Sequence, residues 1–113
     1  MIKITVAIPV YNAAKHLDVV FDSLVHQTMD RADFEVVCVN DCSTDNSKEV
    51  IEKWSKVMGN VVLIDRAVNS GGPVLPRNDA IAVARGEYIH FVDNDDFLGV
   101  EALERLYHAA SEN

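Results

Sequence analysis

Along this chain, short apolar runs alternate with stretches whose apolar residues recur every three or four positions. Ile2 to Pro9 is β-branched and apolar and ends at the turn-prone pair Tyr11-Asn12. From Ala14 to Gln27 the residues Leu17, Val20, Phe21, Leu24 and Val25 fall at helical spacing. Phe34 to Val39 is a second run of strand length, stopped by Asn40-Asp41. Ser43-Thr44-Asp45 then offers N-cap candidates for a helix through Val57, with Val50, Ile51 and Trp54 on one face. Val61 to Ile64 predicts the third strand. After the Gly/Pro-rich stretch Asn69 to Pro76, Pro76 suits the first turn of a helix that runs to Arg85 and stops at Gly86. Tyr88 to Val92 is the fourth strand, and a final helix starts near Val100 with Leu103, Leu106, Tyr107 and Ala110 as its buried stripe.

Strands that alternate with helices, and that are apolar on both faces, predict an α/β fold: a parallel sheet with helices on both faces. Right-handed crossovers leave few topologies, and the doubly wound order 3-2-1-4 is the expected one. Residues 1–113 make a single domain on length alone. In such sheets a ligand sits beyond the carboxyl ends of the strands, where the strand order reverses. Tyr11-Asn12 follow the first strand, Asp41 the second, and Asp93, Asp95 and Asp96 the fourth. The 3-2-1-4 order makes these strands neighbours, so their polar ends share one rim.

Three carboxylates within Asp93-Asn94-Asp95-Asp96 repel one another unless a cation stands among them. Mg²⁺ or Mn²⁺ suits such a group, because it favours one or two carboxylates plus substrate phosphates. The alternative is a solvated turn ahead of the last helix. Tyr11 either stacks on a nucleobase or packs on the first helix, and Asp41 either accepts a hydrogen bond from a base N–H or caps the second helix. Arg77 and Asn78, opening the third helix, either meet a diphosphate or are plain exposed helix residues.

The formal net charge of −8 argues against nucleic acid as a partner and fits an anionic ligand reached through a divalent cation. Cys38 and Cys42 lie four apart, and His16, His26, His90 and His108 complete no zinc pattern with them, so neither cysteine is given any chemistry. No apolar run approaches the ~20 residues of a membrane span, and no signal peptide is visible. The expected location is cytoplasmic, with peripheral attachment to the inner face of the membrane open for a full-length protein.

These residues stand in motifs that together resemble the family 2 glycosyltransferases of the GT-A fold, over essentially the whole chain. The motifs are Ala7-Ile8-Pro9-Val10-Tyr11-Asn12, Ser23-Leu24-Val25-His26-Gln27-Thr28, Asn40-Asp41-Cys42-Ser43-Thr44-Asp45, Asn69 to Asn78, Ala84-Arg85-Gly86-Glu87-Tyr88-Ile89, and Phe91-Val92-Asp93-Asn94-Asp95-Asp96. The resemblance implies a Rossmann-like domain that binds a nucleotide diphosphate sugar, usually a UDP-sugar, for metal-dependent transfer with inversion. It implies that Tyr11 stacks on the base, that Asp41 bonds the imide, and that Pro9 and Asn12 shape the base pocket. Asp93 would hold the ribose or a metal-bound water, Asp95 would ligate Mn²⁺ or Mg²⁺, and Arg77 would face the donor.

Three departures qualify this. The usual Asp-Asp-Gly-Ser is Asn40-Asp41-Cys42-Ser43, which loses one carboxylate and one permissive glycine. The loop from Asn69 to Asn78 is longer than the common form and carries Pro73 and Pro76. The chain also reaches Asn113 before the region in which the family carries its general base and acceptor pocket. It therefore corresponds to the nucleotide-sugar-binding half, truncated relative to the full family domain, and no catalytic base is assigned. The expectation is that the isolated chain transfers no sugar, that the acceptor is unknown, and that the fourth strand becomes an edge along which a homodimer forms. The alternative function is a non-catalytic nucleotide- or Mg²⁺-binding regulatory domain. A nucleotidyltransferase is disfavoured because Tyr11-Asn12-Ala13-Ala14 is not a Gly-rich basic loop.

Overall fold

The computed structural model describes residues 1–112. In chain order the elements are β1 (Ile4–Val10), α1 (Ala14–Val25), β2 (Phe34–Asn40), α2 (Ser47–Met58), β3 (Val61–Asp65), α3 (Val74–Val83), β4 (Tyr88–Phe91) and α4 (Ala102–Ser111), with a 3₁₀ turn at Arg31–Asp33. The strands form one sheet in the order β3-β2-β1-β4, and every pair is parallel. Both the expected topology and the α/β class are therefore those of the molecule.

Register assigns each strand residue to a face. Ile4 pairs with Phe34, Val6 with Val36 and Ile8 with Cys38, so all six point to one side. There they bury against Leu17, Val20, Phe21 and Leu24 of α1, Ile51 of α2 and Leu103 of α4. Phe21 also stacks on Trp54 at 5.6 Å between centroids, and the Trp54 indole N–H donates to Asp18 at 2.7 Å, which locks α1 to α2. On the opposite face Ala7, Val37 and Val39 pack under Ala80 of α3. Small residues at Ala7 and Ala80 let α3 lie close to the central strands.

The same face holds two buried polar residues, Thr5 and Glu35. The Thr5 hydroxyl donates to Glu35 at 2.7 Å, and the Glu35 carboxylate also accepts from the Arg85 backbone N–H at 2.7 Å and from Arg85 Nε at 3.0 Å. Gly86 N–H donates to Thr5 Oγ1 at 2.9 Å, closing the network. It clamps the connection before β4 onto β1 and β2, and so determines where β4 begins. Neither residue is assigned a role from the sequence alone.

Several local expectations are corrected. α3 ends at Val83 because Ala84 turns to extended backbone (ψ 133°), so Gly86 is not a helix stop. Its real constraint is space: a Cβ there would stand 2.5 Å from Thr5 N and 2.7 Å from the Ile4 carbonyl carbon. Gly86→Ala is therefore expected to destabilise by about 1–3 kcal/mol through overpacking, read by chemical denaturation. α1 stops at Val25, before Gln27, and β4 is complete at Phe91. On α4, Leu103 is buried and Tyr107 and Ala110 are half-buried, but Leu106 is exposed and does not belong to the stripe. In the sheet of the described residues β4 pairs only with β1, and Tyr88 and Phe91 are both more than a third exposed. Among the described residues no helix is long and apolar enough to cross a membrane.

Candidate functional site

At the carboxyl ends of β1 and β2 the chain makes two tight turns that lock together. Asn12 has a positive φ of 50°, which asparagine tolerates, and its side-chain oxygen accepts from Thr44 N at 2.7 Å. Asp45 accepts from Ser47 N–H at 2.9 Å and from Ala14 N–H at 3.2 Å, so one carboxylate serves the starts of both α1 and α2. Partial burial pushes that carboxyl up, but the hydrogen bonds from Ser47 and Ala14 outweigh it and leave its pKa below the ordinary 3.8. The N-cap position of α2 is Asn46, whose side chain makes no cap bond; the carboxylate that meets the first helical N–H is that of Asp45, and not Asp41.

The altered Asp-Asp-Gly-Ser segment has a physical account in part. The Asn40 amide N–H donates to Asp65 at 3.0 Å, and Asn40 Oδ1 accepts from Ser43 Oγ at 2.6 Å. An aspartate at 40 would set a second negative charge against Asp65, which the neutral amide avoids. Cys42 keeps the left-handed conformation (φ 59°) that glycine would take more cheaply, and its thiol reaches the Ala67 carbonyl at 3.6 Å. Cys38 lies inside the sheet, where burial pushes its thiol up to about 12 and leaves it unreactive.

Above these turns lies a cleft of about 390 Å³, lined by Pro9, Val10, Tyr11, Asp41, Asn69, Gly71, Gly72, Pro73, Pro76 and Asn94. Its volume is within the usual range for a small-molecule site. Pro9, Tyr11 and Asp41, three of the sequence-derived candidates, therefore meet in one place. Tyr11 is 51% exposed at the cleft wall and is not packed away on α1. Asp41 is buried, its Oδ1 accepting the Ser70 N–H at 2.8 Å and its Oδ2 the Ser70 hydroxyl at 2.7 Å. Asn12 braces the neighbouring turn from outside the cleft lining.

Asn94 carries the acidic turn to the same cleft. Its amide donates to the Pro9 carbonyl at 3.0 Å, just after Val92 N–H bonds the Ala7 carbonyl at 2.9 Å. Asp93 and Asp95 flank it, both exposed, and neither carboxylate has a hydrogen bond or ion pair among the described residues. Asp96 instead bonds the Phe97 N–H at 2.8 Å. The turn is held by α1 and the residues just after it: Ser23 Oγ accepts from Leu98 N–H at 3.1 Å, while Gln27 donates to the Gly99 carbonyl at 2.7 Å and accepts from Leu103 N–H at 3.1 Å. Residues of the Ser23–Thr28 motif thus support the acidic turn. Arg77 is placed differently from the other candidates. It is exposed on α3 with its guanidinium 5.3 Å from the Phe91 ring centroid, and it does not line the cleft.

Among the described residues no group of three or more His, Cys, Asp or Glu side chains is arranged to hold a metal ion. Two unpartnered hard carboxylates beside a cleft nevertheless fit a cation that takes the rest of its shell from phosphates and water. Sequence reasoning missed Asn69, Ser70, Gly71, Gly72 and Arg66. Gly71-Gly72-Pro73 marked a loop without saying which way it folds, and Arg66 carried no signal beyond following a strand.

A doubly wound sheet of this order, with its cleft at the reversal point, defines an α/β ligand-binding domain. The family model for glycosyl transferase family 2 matches residues 5–113, and the chain belongs to that family. It is 53% identical over 111 residues to a poly(ribitol-phosphate) beta-glucosyltransferase of Bacillus spizizenii, covering 98% of this chain and 18% of that protein. It is 40% identical over 104 residues to the poly(ribitol-phosphate) beta-N-acetylglucosaminyltransferase TarS of Staphylococcus aureus, covering 92% of this chain and 18% of that one. The crystal structure of TarS 1–349 in complex with UDP superposes with a TM-score of 0.92 at 38% identity, covering 98% of this chain and 32% of that one. A mannosyltransferase of Pyrobaculum calidifontis in complex with GDP-Man and Mn²⁺ gives 0.83 at 26% identity, covering 96% of this chain and 31% of that one. The chain thus spans less than a third of the relatives' lengths, and the fold it shares with them is that of GT-A glycosyltransferases.

Proposed function

We propose that this chain is the donor-binding portion of an inverting, metal-dependent glycosyltransferase that uses a UDP-sugar. The observation that carries the proposal is the meeting of Pro9, Tyr11, Asp41 and Asn94 in one cleft, with the unpartnered Asp93 and Asp95 on either side of Asn94. An exposed aromatic at the wall and a buried carboxylate at the back form a receptor for a flat base that presents an N–H. Uracil and guanine offer such a donor, and the TarS complexes with UDP and UDP-GlcNAc favour uracil. Pro9 and Asn12 would shape the pocket, Asp93 would take the ribose or a metal-bound water, and Arg77, outside the cleft lining, would face the donor from α3.

Asp95, with Asp93, would hold Mn²⁺ or Mg²⁺, which neutralises diphosphate charge and eases departure of the nucleotide. The Mn²⁺ complex of the mannosyltransferase supports this part. Inversion rests on the family resemblance. The acceptor we propose is a poly(ribitol-phosphate) chain, because the relatives at 53% and 40% identity are both named for that substrate. The family match favours this reading over a regulatory domain.

The deciding experiment is calorimetry with UDP in Mn²⁺, in Mg²⁺ and in chelator. Binding strengthened by either metal is expected, and equal affinity in chelator would reject metal dependence. Tyr11→Ala should weaken UDP binding by about 1–3 kcal/mol if the ring stacks on the base. Unchanged affinity in that variant would remove Tyr11 from the site.

A further inference from the structure

Asp41 is the one buried acid of the cleft, and its surroundings contain a cation that the base-binding reading does not use. Arg66 follows β3, and its backbone N–H donates to the Asn40 carbonyl at 2.9 Å. Its Nη1 bonds and ion-pairs with Asp79 on α3. Its Nε is buried, has no hydrogen-bond partner among the described residues, and stands 3.6 Å from Asp41 Oδ1. A buried guanidinium N–H left short of a hydrogen bond is costly unless something draws it closer. Arg66 does not line the cleft, so its contact with the site is through Asp41.

The other partner of Asp41 is movable. The Ser70 hydroxyl is 2.7 Å from Asp41 Oδ2 and also 2.7 Å from the Gly72 carbonyl, but it has a single proton to give. A base N–H that approaches Oδ2 can displace that proton to Gly72, and Ser70 loses no hydrogen bond in the exchange. The Ser70 backbone N–H stays on Oδ1, which is also the oxygen that faces Arg66 Nε at 3.6 Å.

We propose that Arg66, anchored by Asp79, is a positioning residue for base selection: it orients the Asp41 carboxylate so that Oδ2 is presented to a base N–H donor. The inference rests on the base-recognition reading above. Its consequence is selective, because uracil offers an N–H at the position where cytosine carries a bare acceptor nitrogen. A carboxylate free to turn discriminates less between the two than one that is fixed.

The test is the ratio of UDP to CDP affinity in Mn²⁺ for the parent, Arg66→Met, Arg66→Lys and Asp79→Asn, each with its melting temperature. Arg66→Met should weaken UDP about tenfold, the value of one charged hydrogen bond, and bring the ratio towards one. Arg66→Lys should restore part of the ratio. Asp79→Asn leaves the Asp41 charge paired and should still lower the ratio severalfold, so it decides the matter if Arg66→Met does not fold. A parent that prefers UDP, with Asp79→Asn and any folded Arg66→Met keeping that preference, overturns this inference alone. A parent that binds UDP and CDP equally overturns base recognition itself, and the inference with it.

Discussion

Glu35→Ala is expected to lower stability by about 3–4 kcal/mol, from the loss of several buried hydrogen bonds and the cavity left behind. The carboxylate is 1% exposed and joins Thr5 on β1 to Arg85 in the connection before β4. Without it the Thr5 hydroxyl and the Arg85 backbone N–H lose their acceptor. Arg85 itself is 69% exposed, so its charge returns to water and adds little to the cost. Glu35→Gln keeps the shape and one acceptor oxygen, so roughly half the loss is expected.

The pH dependence of the parent provides an independent check. Desolvation raises the Glu35 pKa, but the hydrogen bonds from Arg85 and Thr5 and the Arg85 charge outweigh it, leaving it below 4.5 in the folded state. A depressed carboxylate stabilises the fold above the unfolded value, and that stability is lost as pH falls through the folded value. Urea denaturation from pH 7 downwards should therefore show the gap between parent and Glu35→Gln constant at neutral pH and shrinking below about 4.5. A gap that does not narrow in acid would show that the carboxylate's charge has no part in the network. The consequence reaches the site, since this network seats β4, and the turn after β4 brings Asn94 into the cleft with Asp93 and Asp95 beside it.

Asp95→Ala should weaken Mn²⁺-dependent UDP binding by about 100-fold, ~3 kcal/mol. Residues that merely support a metal ligand are typically worth about 10–100-fold in metal affinity, so a direct ligand belongs at the top of that range. The side chain is exposed and has no partner among the described residues, so folding should be unaffected and melting temperatures should agree closely. Binding in chelator should not differ between parent and variant. Calorimetry in both conditions reads the effect. A variant that keeps its Mn²⁺ response would transfer the ligand role to Asp93 or Asp96, and Asp93→Ala separates these two.

What could be read from the chain was periodic or positional. Apolar runs and helical stripes are local consequences of burial, so strand and helix identities, the sheet order and the family motifs were legible without coordinates. Tyr11 and Asp41 were placed together because each follows one of two neighbouring parallel strands, while Pro9 came from the family resemblance. Element ends were less legible: the end of α3 is decided by the backbone dihedrals of Ala84. Leu106 continued a helical stripe, but no described element buries it.

Only the tertiary structure decided the polar contacts between segments far apart in sequence. Thr5, Glu35 and Gly86 meet because β1 lies beside both β2 and β4, and the requirement for glycine at 86 comes from the Thr5 backbone 2.5 Å from its missing Cβ. Asn40 reads as a lost carboxylate until Asp65 is seen to face it. Arg66 approaches Asp41 because the β2–β3 register sets Asp65 beside Asn40, and Asp79 on α3 takes the other side of its guanidinium; neither partner has a periodic signal. Hydrophobic burial is set by a residue's own type and spacing, and so is written along the chain. A buried charge or a close backbone contact depends on its partner, and the partner is known only when the chain has folded.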